Sequence, residues 1–161
     1  MMRALWLGLA VVLASLTSCA EPEISPATGT WVFVNGEQLV NTCTSDMIDV
    51  SSGDFTLLNN GDGTFTIDPE DGSDAFLCTL EGDGAYTCPM RLQESNKIDG
   101  LDATIEVRVS ATGTFSSATA TKGQQDATVD CTGAACPLAE AAAMVTFPCQ
   151  ISVAYTASFK G

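Results

Sequence analysis

The final strand-like run of the chain, Cys149-Gln-Ile-Ser-Val-Ala-Tyr-Thr-Ala-Ser-Phe-Lys160, decides the fold class. Cys149, Ile151, Val153, Tyr155, Ala157 and Phe159 fall on one side of a two-residue period; Gln150, Ser152, Thr156, Ser158 and Lys160 fall on the other. Successive side chains of a β-strand point to opposite faces, so this run is a strand with one dry and one wet face. Residues 102–110 repeat the pattern, with Ala103, Ile105, Val107 and Val109 inward and Asp102, Thr104, Glu106, Arg108 and Ser110 outward. Shorter runs of the same kind occupy 31–35, 54–59, 63–68, 75–80, 85–90, 114–121 and 127–131, which makes about nine strands. Most stretches between them are short and rich in Gly or Asp: NNGDG at 59–63, EGDG at 81–84, SATG at 110–113 and KGQQD at 122–126. Such links make antiparallel hairpins, because a parallel crossover needs a dozen residues or more. The expectation is an all-β, antiparallel, up-and-down meander of eight to nine strands, closed as a small barrel or folded as a sandwich. One short helix is expected at 137–145, Ala-rich with Pro137 at its first position.

The counts narrow the function. The 161 residues include 6 Lys and Arg against 20 Asp and Glu, no His, and seven Cys. A formal charge of −14 repels phosphate backbones, so no nucleic-acid partner is expected. Without imidazole there is no Ser-His-Asp or Cys-His catalysis, and the common zinc sites lose a ligand. Acids scattered through nearly every turn read as a solubilising surface more than as a dock for a cationic partner.

Residues 1–18 read as an export signal: Arg3, then thirteen mostly apolar residues from Ala4 to Leu16, then small polar ones. Thirteen helical residues rise only about 20 Å, short of a bilayer core. The segment ends in Leu16-Thr17-Ser18-Cys19, which resembles the lipobox of bacterial lipoproteins. The resemblance implies that Cys19 is lipidated, becomes the new N-terminus and anchors the chain to a membrane. Ala20, in place of Asp, implies by the same resemblance the outer membrane more than the inner. The expected organisation is then a signal at 1–18, the lipidated Cys and an extended tether at 19–28, and a single β domain over 29–161. Without its signal the chain keeps five bases against 20 acids, a net −15.

Removing Cys19 from the count leaves Cys43, Cys78, Cys88, Cys131, Cys136 and Cys149, an even set suited to an oxidising compartment. Six cysteines allow 15 connectivities. Cys78 and Cys88 share a face with Phe76, Leu80, Tyr86 and Met90 and lie symmetrically about the turn at Asp83, so a cross-strand bond is expected. Cys131 and Cys136 enclose four residues and read as a local clip. Cys43 and Cys149 remain for each other. Closing a loop of about a hundred residues gives that bridge the largest entropic effect, about 4.7 kcal/mol.

Candidates for chemistry are sparse. Asp68, Glu70, Asp71 and Asp74 in the run DPEDGSD supply hard oxygen ligands for calcium. The EF-hand pattern fails on them: a loop glycine at Gly63 puts Leu58 first and Pro69 twelfth, and one at Gly72 puts Ile67 first. The favoured reading is a solvated acidic loop. Paired carboxylates also run glycoside hydrolysis, but no pair stands out, and a hydrolase is only a remote alternative. No Cys-x-x-Cys motif suggests thiol exchange, and no cofactor is expected.

Gly29-Thr30-Trp31, opening the first predicted strand behind a lipobox, resembles the lipocalins, some of whose bacterial members are lipoproteins. The resemblance implies an eight-stranded barrel that holds a small hydrophobic ligand, with the Trp at the closed end. Six cysteines and the lack of room for a C-terminal helix depart from that family. The functional expectation is therefore a non-catalytic cell-envelope lipoprotein, a binding or structural module of unknown protein partner. The alternative is a lipocalin-like carrier, and a cavity above about 300 Å³ would distinguish the two.

Overall fold

The computed structural model describes residues 24–43 and 53–161. Eight antiparallel strands follow one another around a closed barrel, β1 (Gly29–Asn41), β2 (Gly53–Asn59), β3 (Thr64–Asp68), β4 (Phe76–Leu80), β5 (Ala85–Lys97), β6 (Thr104–Ser117), β7 (Ala120–Thr132) and β8 (Cys149–Phe159), with β1 hydrogen-bonded to β8. A single helix among the described residues, α1 (Cys136–Ala143), joins β7 to β8. Closure removes the sheet edges that an open meander would expose. The predicted signal and the proposed lipidation residue, Cys19, lie outside the described residues.

Eight strands replace nine because two expected turns run through strand interiors. Residues 110–113 lie inside β6 and 122–126 inside β7; the true hairpin is at Ala118 and Thr119. Gly113 and Gly123 face each other across the pair. A Cβ on Gly113 would sit 2.4 Å from the Tyr86 hydroxyl oxygen, and one on Gly123 would sit 2.2 Å from the Thr112 carbonyl oxygen and 2.8 Å from Tyr155. These glycines therefore admit two tyrosines instead of bending the chain. The turns at 60–63 and 81–84 hold, and both use the same device: Asp62 Oδ1 accepts the Thr64 amide and Asp83 Oδ1 the Ala85 amide.

The walls differ in height. β2, β3 and β4 have seven, five and five residues, whereas β5 to β8 have 11 to 14. Among the described residues, β1 beyond Phe33 pairs only with β8, and β5 beyond Thr87 only with β6.

At one end Trp31, Leu57, Phe65 and Phe115 are fully buried, and the Trp31 ring meets Phe55, Phe115 and Phe159 at centroid distances of 6.3, 5.9 and 5.9 Å. Of the tether expected over 19–28, residues 19–23 lie outside the described residues and residues 24–28 dock on this end. Pro26 is fully buried, Ile24 and Ala27 pack on the core, and the Ala27 amide donates to Ala118 O. Apolar residues in this short run make docking across the barrel end more favourable than solvation.

At the other end α1 roofs the tall wall. Val145, Ala143 and Phe147 pack with Cys43, Val129, Cys149, Ile151 and Val153 in a second cluster. Pro137 stands in the first turn, and Met144 closes the helix in the left-handed region at φ 54°. Three disulfides staple the sheet. Cys43–Cys149 ties the end of β1 to the start of β8, Cys131–Cys136 clips β7 to α1, and Cys78–Cys88 crosses β4 and β5. The Cys78–Cys88 Cα separation of 4.2 Å is the close spacing of a non-hydrogen-bonded pair. Three disulfides are what an oxidising, extracytoplasmic compartment permits.

Candidate functional site

The inward faces of the strands do not meet. They enclose a cavity of about 570 Å³ that reaches the surface among Gly53, Asp54, Pro69, Asp71 and Glu94, over the short wall. Its sides are aromatic and aliphatic: Phe33, Phe55, Ile67 and Phe76 from the early strands, Val107, Val109 and Ala111 from β6. Large rings at the closed end and small aliphatics on β6 leave this volume unfilled, within the range of small-molecule sites.

The floor carries three polar groups. The Tyr86 and Tyr155 hydroxyls hydrogen-bond each other, and Thr121 Oγ1 lies 3.2 Å from the Tyr86 hydroxyl and 3.0 Å from Thr114 O. The Thr121 hydroxyl shares its proton between the Tyr86 oxygen and the Thr114 carbonyl, and either tyrosine can donate to the other. Burial raises the pKa of both tyrosines above the ordinary value, and for Tyr155 the proximity of Tyr86 acts in the same direction. The floor is thus neutral through the physiological range.

The mouth carries a cation that sequence patterning misses. Period two from Tyr86 and Cys88 places Met90 inward, but the β5 register shifts between Cys88 and Arg91. Pro89 has no amide to give to a ladder, so the strand bulges there. Met90 turns outward, 56% exposed, while Arg91 and Gln93 line the cavity. The proline in mid-strand was the available signal.

Arg91 sits with Cζ 3.9 Å above the Phe76 ring. Its Nη2 donates to Ser73 Oγ at 3.3 Å and its Nη1 reaches Leu92 O at 3.5 Å, while the buried Nε has no hydrogen-bond partner. Burial lowers the guanidinium's pKa, with Asp71 and Asp74 acting in the opposite sense. Among the described residues it forms no ion pair within 4.0 Å; the pairs present are Arg108–Glu106 and Lys160–Asp54, both at 2.6 Å.

The acidic run 68–74 lies beside this mouth, and Asp68, Glu70 and Asp71 are occupied locally. Asp68 Oδ1 accepts the Glu70 amide, Asp71 Oδ1 the Ser73 amide, Asp71 Oδ2 the Gln93 side chain, and Glu70 Oε1 the Thr56 hydroxyl. Hydrogen bonds from Ser73 hold the Asp71 carboxyl below its usual range, and Arg91 adds to this. Among the described residues no three His, Cys, Asp or Glu side chains converge as a metal would require.

Trp31 belongs to the opposite end, its Nε1 donating to Ala27 O at 2.9 Å. That end is packed with Trp31, Leu57, Phe65 and Phe115, the last three of which also line the cavity above it. An apolar chamber with a neutral hydroxyl floor and one cation at its mouth is suited to holding a small amphiphile. Comparison of the chain with protein-family models, with curated proteins and with solved structures returns no match.

Proposed function

We propose that this protein is a non-catalytic, lipid-anchored protein of the bacterial cell envelope whose barrel carries a small hydrophobic ligand. The observation that supports a carrier over a filled structural module is the cavity of about 570 Å³, apolar in lining and open at one end. A barrel built only as a scaffold fills its interior with side chains. The anchor follows from Leu16-Thr17-Ser18-Cys19, and the outer membrane is the favoured location from Ala20.

The two elements fit each other. Ile24 packs at the closed end, and Cys19 lies five residues upstream, a reach of at most about 18 Å. A lipid on Cys19 then holds the closed end toward the membrane and leaves the mouth facing away from it. A second reading, an envelope module that docks a protein on its outside, draws on Leu138 and Met144, which α1 and its cap leave 62% and 84% exposed.

The test is native mass spectrometry of the mature Cys19→Ser chain expressed in a lipid-rich host. A co-purified small molecule is the expected result. A clean apo mass, together with failure to take up any apolar probe, refutes the carrier. Membrane fractionation of the same variant tests the anchor: its release into the soluble fraction is expected, and persistent partition with membranes refutes lipidation at Cys19.

A further inference from the structure

We propose, building on the carrier reading, that the cavity selects amphiphiles with a carboxylate head, held at its mouth by Arg91. Four observations carry this. First, the guanidinium has five N–H donors, and the structure supplies acceptors only at Ser73 Oγ and Leu92 O, both at long range. Its buried Nε donates to nothing. Second, the acids around the mouth are already engaged. Asp54 pairs with Lys160, Asp71 accepts from Ser73 and Gln93, and Glu94 accepts from Asn96. Asp71 and Asp74 act on Arg91 only through space, and among the described residues no acid lies within 4.0 Å of it, so a directly hydrogen-bonded anionic acceptor is what the guanidinium lacks.

Third, the cation–π contact with Phe76, Cζ 3.9 Å from the ring centroid, holds the guanidinium at the mouth, and its Nη1 and Nη2 groups keep donors beyond the two long bonds to Leu92 and Ser73. A carboxylate matches such donors with two parallel hydrogen bonds. Fourth, Arg91 lies five residues along β5 from Tyr86, on the order of 15 Å. Between the two the lining is mainly apolar, with Val109, Ala111 and Ala127 and the single polar Gln125, so a head at Arg91 leaves a tail to run down to the neutral floor. Asp71 and Asp74 oppose an anion from close by and direct contact with the guanidinium has to outweigh them, while the remaining exposed charges are screened beyond about 8 Å at physiological salt.

The experiment is calorimetric titration of the delipidated mature Cys19→Ser chain with dodecanoate, dodecanol and dodecylamine, each kept monomeric, at neutral pH. Dodecanoate is expected to bind at least about tenfold tighter than dodecanol. Arg91→Gln should bring that ratio close to one, and Arg91→Lys should retain part of it. Trp31 emission, from the far end of the barrel, checks that each variant is folded. If Arg91→Gln does not fold, the wild-type ratio alone decides. Equal binding of dodecanoate and dodecanol overturns head-group selection and leaves the carrier standing. A preference that survives in Arg91→Gln removes Arg91 from the role, and tighter binding of dodecylamine assigns the mouth to the acids. If none of the three binds, the carrier reading itself falls.

Discussion

The two ends of the barrel are built from the same alternating strands and are held in different ways. The closed end is a plug of rings, with Trp31, Phe65 and Phe115 fully buried and residues 24–28 docked across it. The roofed end is held by Cys43–Cys149 and Cys131–Cys136 beneath and beside α1, and next to that roof the cavity opens. The closed end, filled with apolar side chains, is stabilised chiefly by burial, with Cys78–Cys88 as its one cross-link. An end that keeps a chamber forgoes part of that burial, and covalent cross-links offset the loss by restricting the unfolded chain.

That contrast can be broken by removing either device. Replacing Cys43 and Cys149 together by Ser is expected to cost the most, about 4 to 5 kcal/mol, because the loop closed spans 106 residues. Denaturant unfolding measures it, and a cost no larger than that of removing Cys131–Cys136 would mean the loop entropy is not what the bridge contributes. Trp31→Ala should follow at about 3 to 5 kcal/mol, the range for a fully buried aromatic. The chain has two tryptophans, Trp6 and Trp31, so in a chain made to start at position 19 Trp31 is the sole reporter. Its emission should stay blue in the Cys43/Cys149 variant below the main transition, showing that the ends are separable.

Gly123→Ala sharpens the comparison from the middle of the tall wall. The added Cβ meets backbone at 2.2 Å, so about 1 to 3 kcal/mol of overpacking is expected, with Tyr155 displaced. A neutral outcome would mean that the glycine pair does not serve to admit the tyrosines.

The floor gives a pH signature. Tyr86 and Tyr155, the chain's two tyrosines, have folded pKa values raised above the ordinary 10.0 by burial. A raised acid binds its proton more tightly when folded, so the stabilisation is complete below that value. It is lost as pH climbs, by up to about 1.4 kcal/mol per pH unit for each tyrosine. Phenolate absorbance should therefore rise only with unfolding. Smooth titration near pH 10 in the folded protein would show that the floor is wet.

The smallest effect is expected at the rim. Asp71→Asn should change stability by no more than about 0.5 kcal/mol at neutral pH, because the carboxyl is solvent-exposed. Its lowered pKa contributes above the ordinary carboxylate range, and the contribution fades as pH falls through it, so the difference between variant and wild type should shrink in acid.

Much of this is legible along the chain and some is not. The dry face of 149–159, the two Asp-Gly turns and the short helix follow from local rules that operate over a few residues. Gly113 and Gly123 mislead because a glycine that makes a turn and a glycine that makes room are identical in sequence; only the arrival of Tyr86 and Tyr155 separates them. Met90 and Arg91 exchange faces for a similar reason. A one-residue bulge at Pro89 inverts the side chains that follow until a second shift between Leu92 and Glu94, and whether the proline is accommodated that way depends on what β6 offers beside it.

By itself the sequence determined the all-β alternation, the hairpin order, the even cysteine set and the acidic surface, all of which depend on residue type and local spacing. Tertiary structure decided that the meander closes at eight strands, that its interior stays partly empty, and that Arg91 turns into the opening with no ion pair within 4.0 Å among the described residues. Closure, volume and proximity depend on how side chains from distant strands share one space, and no local pattern carries that information.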